Sequence, residues 1–126
     1  MVASAAAIAL FLPTPREQKP GHAYAIPSPT RRIVVEVLNG TSRPGFARAA
    51  TRSLRRRGLD VVFFGTADTR VEATRILVRR GDPGRGRDVR DALGVGRVVV
   101  QPDTTRRVDV SVILGSDFRP QDELHP

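Results

Sequence analysis

The chain has 126 residues, a net charge of +8 and no cysteine. That length supports one domain, and the lack of cysteine excludes both a disulfide framework and a thiolate zinc site. Arginine carries nearly all of the positive charge, which reflects either a compositional bias or a surface for an anionic partner, namely a wall polymer, a phospholipid headgroup or nucleic acid.

The amino-terminal part predicts an anchor remnant followed by a linker. Residues 1–12, MVASAAAIALFL, form an apolar run with no positive residue before it. As a helix the run covers roughly 18 Å, which is short of the roughly 30 Å hydrocarbon core of a membrane. We interpret it as the remnant of a membrane anchor or signal; the alternative is an unstructured Ala-rich terminus. Residues 13–30 are rich in proline and predict a linker.

The first regular element is a strand expected over residues 33–38, with Ile33, Val35 and Val37 on one face and the residues between them on the other. Asn39 and Gly40 both tolerate positive φ and end the strand. Thr41 or Ser42 is then predicted to cap a helix with its side-chain oxygen.

A helix is expected next, with Pro44 in its first turn, where no amide donor is needed. Phe46, Ala50 and Leu54 recur at helical spacing and predict its inner face, and Gly58 stands where a helix usually ends. Arginines fall away from the inner face, at Arg48, Arg52, Arg55 and Arg56.

Short apolar runs and one more amphipathic stretch complete the expected fold. Further strands are predicted over residues 59–65, 74–80, 98–100 and 108–114, and a second helix over residues 87–93, after the interrupting GDPG sequence. The order βαββαββ predicts an α+β fold, a two-layer sandwich of about five strands with both helices on one face of the sheet. The domain is expected over residues 31–119 and a polar tail over residues 120–126.

Four blocks in order, VEVLNGT, GFARAATRSLRRRGLDV, TRILVRRG and VDVSVILGSDF, resemble the LytR C-terminal domain over roughly residues 32–118. That domain is the accessory module of LytR-CpsA-Psr cell-envelope proteins. The resemblance implies a stand-alone module outside the cytoplasmic membrane, behind a membrane anchor, with a role in cell-wall or envelope binding. The catalytic groups of the phosphotransferase relatives belong to another domain, so no catalytic residue is assigned.

The turn between the first strand and the first helix is the candidate binding site. Helix N-termini attract anions, and Arg43 adds a forked donor for phosphate or carboxylate. This turn meets the turn after the last strand if those strands are neighbours. The alternative is structural, with glycine for positive φ and Asn and Asp bonding turn backbone. The residues expected to bind ligand are Asn39, Gly40, Thr41, Ser42, Arg43, Arg48, Arg52, Gly115 and Asp117.

These patterns predict a non-catalytic envelope domain that binds peptidoglycan or an anionic wall polymer and is tethered to the membrane through its N-terminal segment. One alternative is a nucleic-acid-binding domain, which calls for aromatics interleaved with basic residues. Another is a protein-interaction module that uses an open sheet edge. We expect no cofactor and no metal, because no histidine or cysteine supports the carboxylates of the domain.

Overall fold

A computed structural model of the chain describes residues 32–120. The expected anchor remnant, the linker and nearly all of the expected tail lie outside the described residues. Within residues 32–120, neither helix is long and apolar enough to cross a membrane.

Five strands and two helices follow one another in the predicted order. They are β1 (Val34–Asn39), α1 (Phe46–Arg56), β2 (Asp60–Thr66), β3 (Arg75–Val78), α2 (Gly84–Leu93), β4 (Arg97–Val100) and β5 (Val110–Leu114). The strands form one sheet in the order β2-β1-β5-β3-β4. β1 runs parallel to β2 and β5, whereas β3 is antiparallel to β5 and parallel to β4. The carboxyl ends of β1, β2 and β5 therefore lie together, at an end of the sheet that we name the rim.

Both helices pack on one face of the sheet, which confirms the two-layer α+β sandwich. α1 lies on β1 and β2, α2 lies on β3, β4 and β5, and the helices contact each other. The core between the layers is apolar, and its most deeply buried members include Val35, Val37, Ala50, Leu54, Ile76, Val89, Val110, Val112 and Leu114. Each fully buried Val, Ile or Leu side chain contributes about 1.5–3 kcal/mol relative to an exposed one.

The start of α1 differs from the predicted one. Its N-cap is Gly45 at φ 88°, and no side chain within residues 32–120 caps the helix. The Thr41 hydroxyl instead accepts a hydrogen bond from the Arg43 amide at 3.0 Å. The predicted cap by Thr41 or Ser42 and the placement of Pro44 in the first turn are wrong, because the positive φ of glycine redirects the chain only after Pro44.

The end of α1 confirms the predicted stop at Gly58, which has φ 87°. Its amide donates to the Arg55 carbonyl at 3.0 Å, and the Leu59 amide donates to the Leu54 carbonyl at 3.1 Å. This pair of bonds is a Schellman motif, which satisfies carbonyls that the helix itself leaves free.

α2 begins at Gly84, three residues before the expected start. The GDPG sequence was predicted to interrupt regular structure, and this is wrong for Gly84, its last residue, which belongs to the helix. The Asp82 carboxylate accepts a bond from the Gly84 amide at 3.0 Å, which starts the helix early. Gly86 then allows α2 to approach the sheet, since a Cβ there would lie 2.6 Å from Val78 and 2.7 Å from Val98.

The opposite face of the sheet carries buried polar side chains where a second apolar layer would otherwise stand. Glu36 is 7% exposed, and its Oε2 accepts hydrogen bonds from Ser111 at 2.5 Å and Arg106 at 2.6 Å. Arg79, 8% exposed, donates from Nε to the Ser111 hydroxyl at 2.9 Å. The Asp103 amide donates to the Arg79 carbonyl at 3.2 Å, which holds the loop between β4 and β5 over this Glu36 network.

Candidate functional site

The two turns singled out from the sequence meet at the rim, because β1 and β5 are neighbours and parallel. The Gly40 amide donates to the Leu114 carbonyl at 2.9 Å. A Cβ on Gly40 would lie 2.8 Å from that carbonyl oxygen, and a Cβ on Gly115 would lie 2.5 Å from the carbonyl oxygen of Glu72. Neither glycine has a positive φ. The expected conformational reason for glycine is therefore wrong here, and close backbone approach is the reason.

The turn after β1 is held by side-chain hydrogen bonds of Asn39. Its Oδ1 accepts from the amide and the hydroxyl of Thr41 at 2.9 and 2.7 Å, and its Nδ2 donates to the Arg43 carbonyl at 2.8 Å. Since Thr41 also accepts from the Arg43 amide, the backbone of Arg43 is fixed on both sides. Asn39 thus bonds the backbone of the turn, which is what the structural alternative predicted for it, and these bonds also hold the backbone of Arg43.

Asp117 ties the turn after β5 to the segment before β3. Its carboxylate accepts from the Thr74 amide at 3.0 Å and from the Thr74 hydroxyl at 2.6 Å. The Thr74 hydroxyl accepts in turn from the Gly115 amide at 2.9 Å, and the Asp117 amide donates to the Glu72 carbonyl at 3.2 Å. These bonds position the loop between β2 and β3 against the rim.

A cleft of about 300 Å³ opens between these two turns and that loop, and we name it the rim cleft. It is lined by Gly40, Thr41, Ser42 and Arg43 on one side and by Arg70, Val71, Glu72 and Ser116 on the other. The Val71 amide closes its base by donating to the Gly40 carbonyl at 2.9 Å.

The rim cleft presents two exposed arginines, Arg43 and Arg70. Within residues 32–120, neither guanidinium makes a hydrogen bond or an ion pair. The hydroxyls of Ser42 and Ser116 and the carboxylate of Glu72 lie beside them. Forked cationic donors next to hydroxyls suit a ligand that combines acidic groups with hydroxyls.

The structure places Arg48 and Arg52 away from the rim cleft. Arg48 lines a second cleft of about 460 Å³ between the start of α1 and the end of β2, where its guanidinium carbon lies 6.0 Å from the centre of the Phe64 ring. Arg52 is exposed one helical turn further along α1 and lines neither cleft.

Four residues of the rim cleft were missed by the sequence analysis: Arg70, Val71, Glu72 and Ser116. The first three belong to a segment whose sequence predicted only a polar loop. Their position depends on long-range bonds, such as that between Val71 and Gly40, for which the local pattern gives no signal. Among the described residues, no three His, Cys, Asp or Glu side chains are grouped to hold a metal ion.

A buried carboxylate lies at the end of the sheet opposite the rim. Asp109 is 4% exposed, and its Oδ1 accepts a hydrogen bond from Arg80 and forms an ion pair with Arg85, both at 2.8 Å, while its Oδ2 accepts from the Val34 amide at 2.9 Å. Burial alone would raise the pKa of Asp109, but these hydrogen bonds and the two positive charges outweigh it and lower the pKa below its usual value. Asp109 therefore has a structural role.

A second carboxylate, Asp103, lies in the loop between β4 and β5. It accepts hydrogen bonds from the hydroxyl and the amide of Thr105, at 2.6 and 3.0 Å, and these bonds lower its pKa. Both shifted carboxylates are thus explained by bonds within the fold.

Together, the single sheet and the paired helices define a small α+β module with a cationic cleft at its rim. Residues 32–118 match the model of a family described as LytR cell envelope-related transcriptional attenuator. The chain belongs to this LytR C-terminal family, as the sequence blocks predicted. The family is an envelope-associated accessory module and not a catalytic family.

Two solved structures are similar to the chain. The soluble domain of a conserved hypothetical secreted protein from Mycobacterium marinum, an Rv2700 ortholog, shares 22% identity at a TM-score of 0.54, over 75% of this chain and 66% of that one. The chain thus spans slightly under two thirds of that domain. The C-terminal domain of Rv0431 shares 20% identity at a TM-score of 0.45, over 84% and 87% of the two chains. A search of curated proteins finds no significant sequence match.

Proposed function

We propose that the chain is a non-catalytic, extracytoplasmic envelope domain that binds peptidoglycan or an anionic wall polymer in the rim cleft. The observation that carries this proposal is the pair Arg43 and Arg70, which line one cleft and whose guanidinium groups make no hydrogen bond or ion pair within residues 32–120. Arginine pairs of this kind recognise phosphate and carboxylate through parallel hydrogen bonds.

The hydrogen bonds of the rim support binding because they hold the backbone that carries the two arginines before a ligand arrives. Asn39 and Thr41 fix the backbone of Arg43, and Asp117 fixes the loop that carries Arg70. A preorganised cleft loses less conformational entropy on binding than a mobile one. The family membership and the secreted relative support an envelope location, and tethering through the segment before β1 completes the proposal.

The test is sedimentation of the chain with purified insoluble peptidoglycan, with and without its attached polymers, at low and moderate salt. We expect saturable binding that survives moderate salt. Each guanidinium contact to an anion is worth roughly 1.5 kcal/mol, so Arg43→Ala/Arg70→Ala should weaken binding by about 100-fold.

The matched control is Arg57→Ala/Arg87→Ala, which removes the same charge at the opposite end of the molecule. Arg57 follows α1 and precedes β2, and Arg87 lies in the first turn of α2, after β3. Equal losses in the two double variants would mean that net charge alone drives sedimentation, and the proposed site would be wrong. Complete loss of binding at moderate salt, together with salt-dependent binding of nucleic acid, would favour the nucleic-acid alternative.

A further inference from the structure

Within residues 32–120, strand β2 is an edge strand of the sheet and pairs with β1 alone. Three consecutive apolar residues are exposed along it: Val62 at 52%, Phe63 at 54% and Phe64 at 38%. Natural edge strands are commonly protected by lysine, proline or a bulge. β2, with the sequence DVVFFGT, contains neither lysine nor proline.

Only the first half of this edge is protected. The register shifts between Val35 and Glu36, which pair with Val61 and Phe63, so that Val62 is the extra residue of a bulge. Arg55 covers the same region, because its guanidinium donates to the Val61 carbonyl at 2.7 Å. Among the described residues, neither this bulge nor Arg55 protects residues 63–66, and we name these four residues the open β2 edge.

The backbone of the open β2 edge is available for a further strand. The Ala67 amide donates to the Asn39 carbonyl at 2.9 Å and therefore points toward β1. By the two-residue alternation of a strand, Phe64 and Thr66 direct their amide and carbonyl groups away from β1. An added strand would bond to these groups about 4.8 Å from β2.

The side chains at this edge differ between the two faces of the sheet. Phe63 is in register with Glu36 and lies on the face without helices, where its ring packs over Gly65. On the helix face, Arg48 lies 6.0 Å from the Phe64 ring. Arg55 is placed two turns further along α1, so both arginines border the position of an added strand.

We propose that the open β2 edge binds an extended peptide segment of a partner protein. The apolar residues of this segment face Phe63, and its acidic residues face Arg48 and Arg55 on the helix side. Strand addition supplies main-chain hydrogen bonds, and the side chains on each face supply specificity. This surface is separate from the rim cleft, so the inference goes beyond the proposed wall binding.

The charge at this edge favours an acidic peptide over a second copy of the chain, and the placement of the aromatic rings disfavours single-stranded nucleic acid. A second copy of the chain would bring the arginines of two copies together, which is repulsive, whereas an acidic segment is attracted by them. For single-stranded nucleic acid, stacking would need aromatic rings on one surface. Phe63 and Phe64 face opposite sides of the sheet, so they form no such platform.

The test uses the full chain, labelled with ¹⁵N, and synthetic peptides of about seven residues with blocked termini, long enough for a typical strand. One peptide alternates valine with glutamate and the other alternates valine with lysine. We expect the glutamate peptide to bind at least about tenfold tighter and to shift the amide resonances of Phe64 and Thr66. Arg48→Glu should reverse the preference, whereas Arg87→Glu on α2 should leave it unchanged.

Two more variants locate the binding. Thr66→Pro removes an outward amide and should abolish peptide binding, whereas Val100→Glu on the opposite edge strand, β4, should not change it. The rim variant Arg43→Ala/Arg70→Ala should bind the peptide normally, so that failure of wall binding and failure of this proposal are distinguishable.

Several results would overturn the proposal. Equal affinity for the two peptides, or resonance shifts confined to β4 or the rim cleft, would contradict it. Concentration-dependent dimers in sedimentation that the glutamate peptide does not dissociate would assign the edge to a second copy. Displacement of the peptide by oligothymidylate, with tighter binding of the oligonucleotide, would assign it to nucleic acid.

Discussion

The substitution Asp109→Asn tests the ion cluster that joins β1, β3, α2 and β5 at the end of the sheet opposite the rim. It preserves the shape of the side chain and removes its charge. Arg80 and Arg85 keep side-chain exposures of 50% and 32%, so solvent screens each pair to roughly 0.5 kcal/mol. The charge-assisted bond from the Val34 amide adds roughly 1 kcal/mol.

The expected loss is therefore about 2 kcal/mol at neutral pH, or about 10 °C in Tm for a domain of this size. It is measured by urea unfolding monitored by circular dichroism. The control is Asp91→Asn, since Asp91 is 75% exposed and lies 3.7 Å from Arg90. That variant should change the free energy of unfolding by less than about 0.5 kcal/mol.

The pH dependence of the stability of Asp109→Asn tests whether its loss of stability is electrostatic. The pKa of Asp109 is lower in the folded chain than its ordinary value, so its stabilisation is present above the unfolded pKa of about 3.9 and is lost as the pH falls through the folded pKa. The stability difference between the parent chain and Asp109→Asn should thus shrink in acid. A difference that stays constant from pH 7 to pH 3 would refute the electrostatic reasoning.

Three further substitutions test packing and hydrogen bonding, each by the same unfolding measurement. Thr51→Val should stabilise the fold by about 1 kcal/mol, because the buried Thr51 hydroxyl has no hydrogen-bond partner among residues 32–120; a loss of stability would show that the hydroxyl is bonded. Ser111→Ala should cost about 2–3 kcal/mol, because it removes the hydrogen bonds that the buried Ser111 hydroxyl makes with Glu36 and with Arg79, and a neutral result would contradict this. Gly115→Ala should cost about 2 kcal/mol or more, because the added Cβ would lie 2.5 Å from a backbone atom. At Gly45 an added Cβ would have no atom within 4 Å, so the cost of Gly45→Ala comes from the positive φ alone.

The fold was predictable because its core strands and α1 have strong local patterns. Val35 and Val37 share one face of β1, and Phe46, Ala50 and Leu54 repeat at helical spacing on α1. The spacing of apolar residues along the sequence therefore predicts the order of the elements and the arrangement of the layers. The start of α1 was not predictable in this way. A capping side chain and a glycine with positive φ are both common solutions, and the choice depends on the bonds that Asn39 makes.

The candidate site was only half predictable for a related reason. The turn after β1 is a local motif, and its Asn-Gly pair signals it directly. The opposing wall, with Arg70 and Ser116, is brought there by parallel pairing of β1 with β5 and by the bonds of Asp117. The buried Glu36 network was also missed, since alternation along a strand does not show which polar side chains a loop will cover.

The direction of β1 has a consequence for any longer assembly that contains this domain. The polypeptide enters at residue 32, at the amino end of β1, while the rim lies at the carboxyl end, roughly 20 Å further on for a strand of six residues. Phe118 packs on Phe46 beside the rim, so the chain departs from the far end. The two ends of residues 32–120 therefore lie at opposite ends of the sheet. A surface that holds the segment before β1 would face the blunt end of the sheet and leave Arg43 and Arg70 directed outward, at the distal tip.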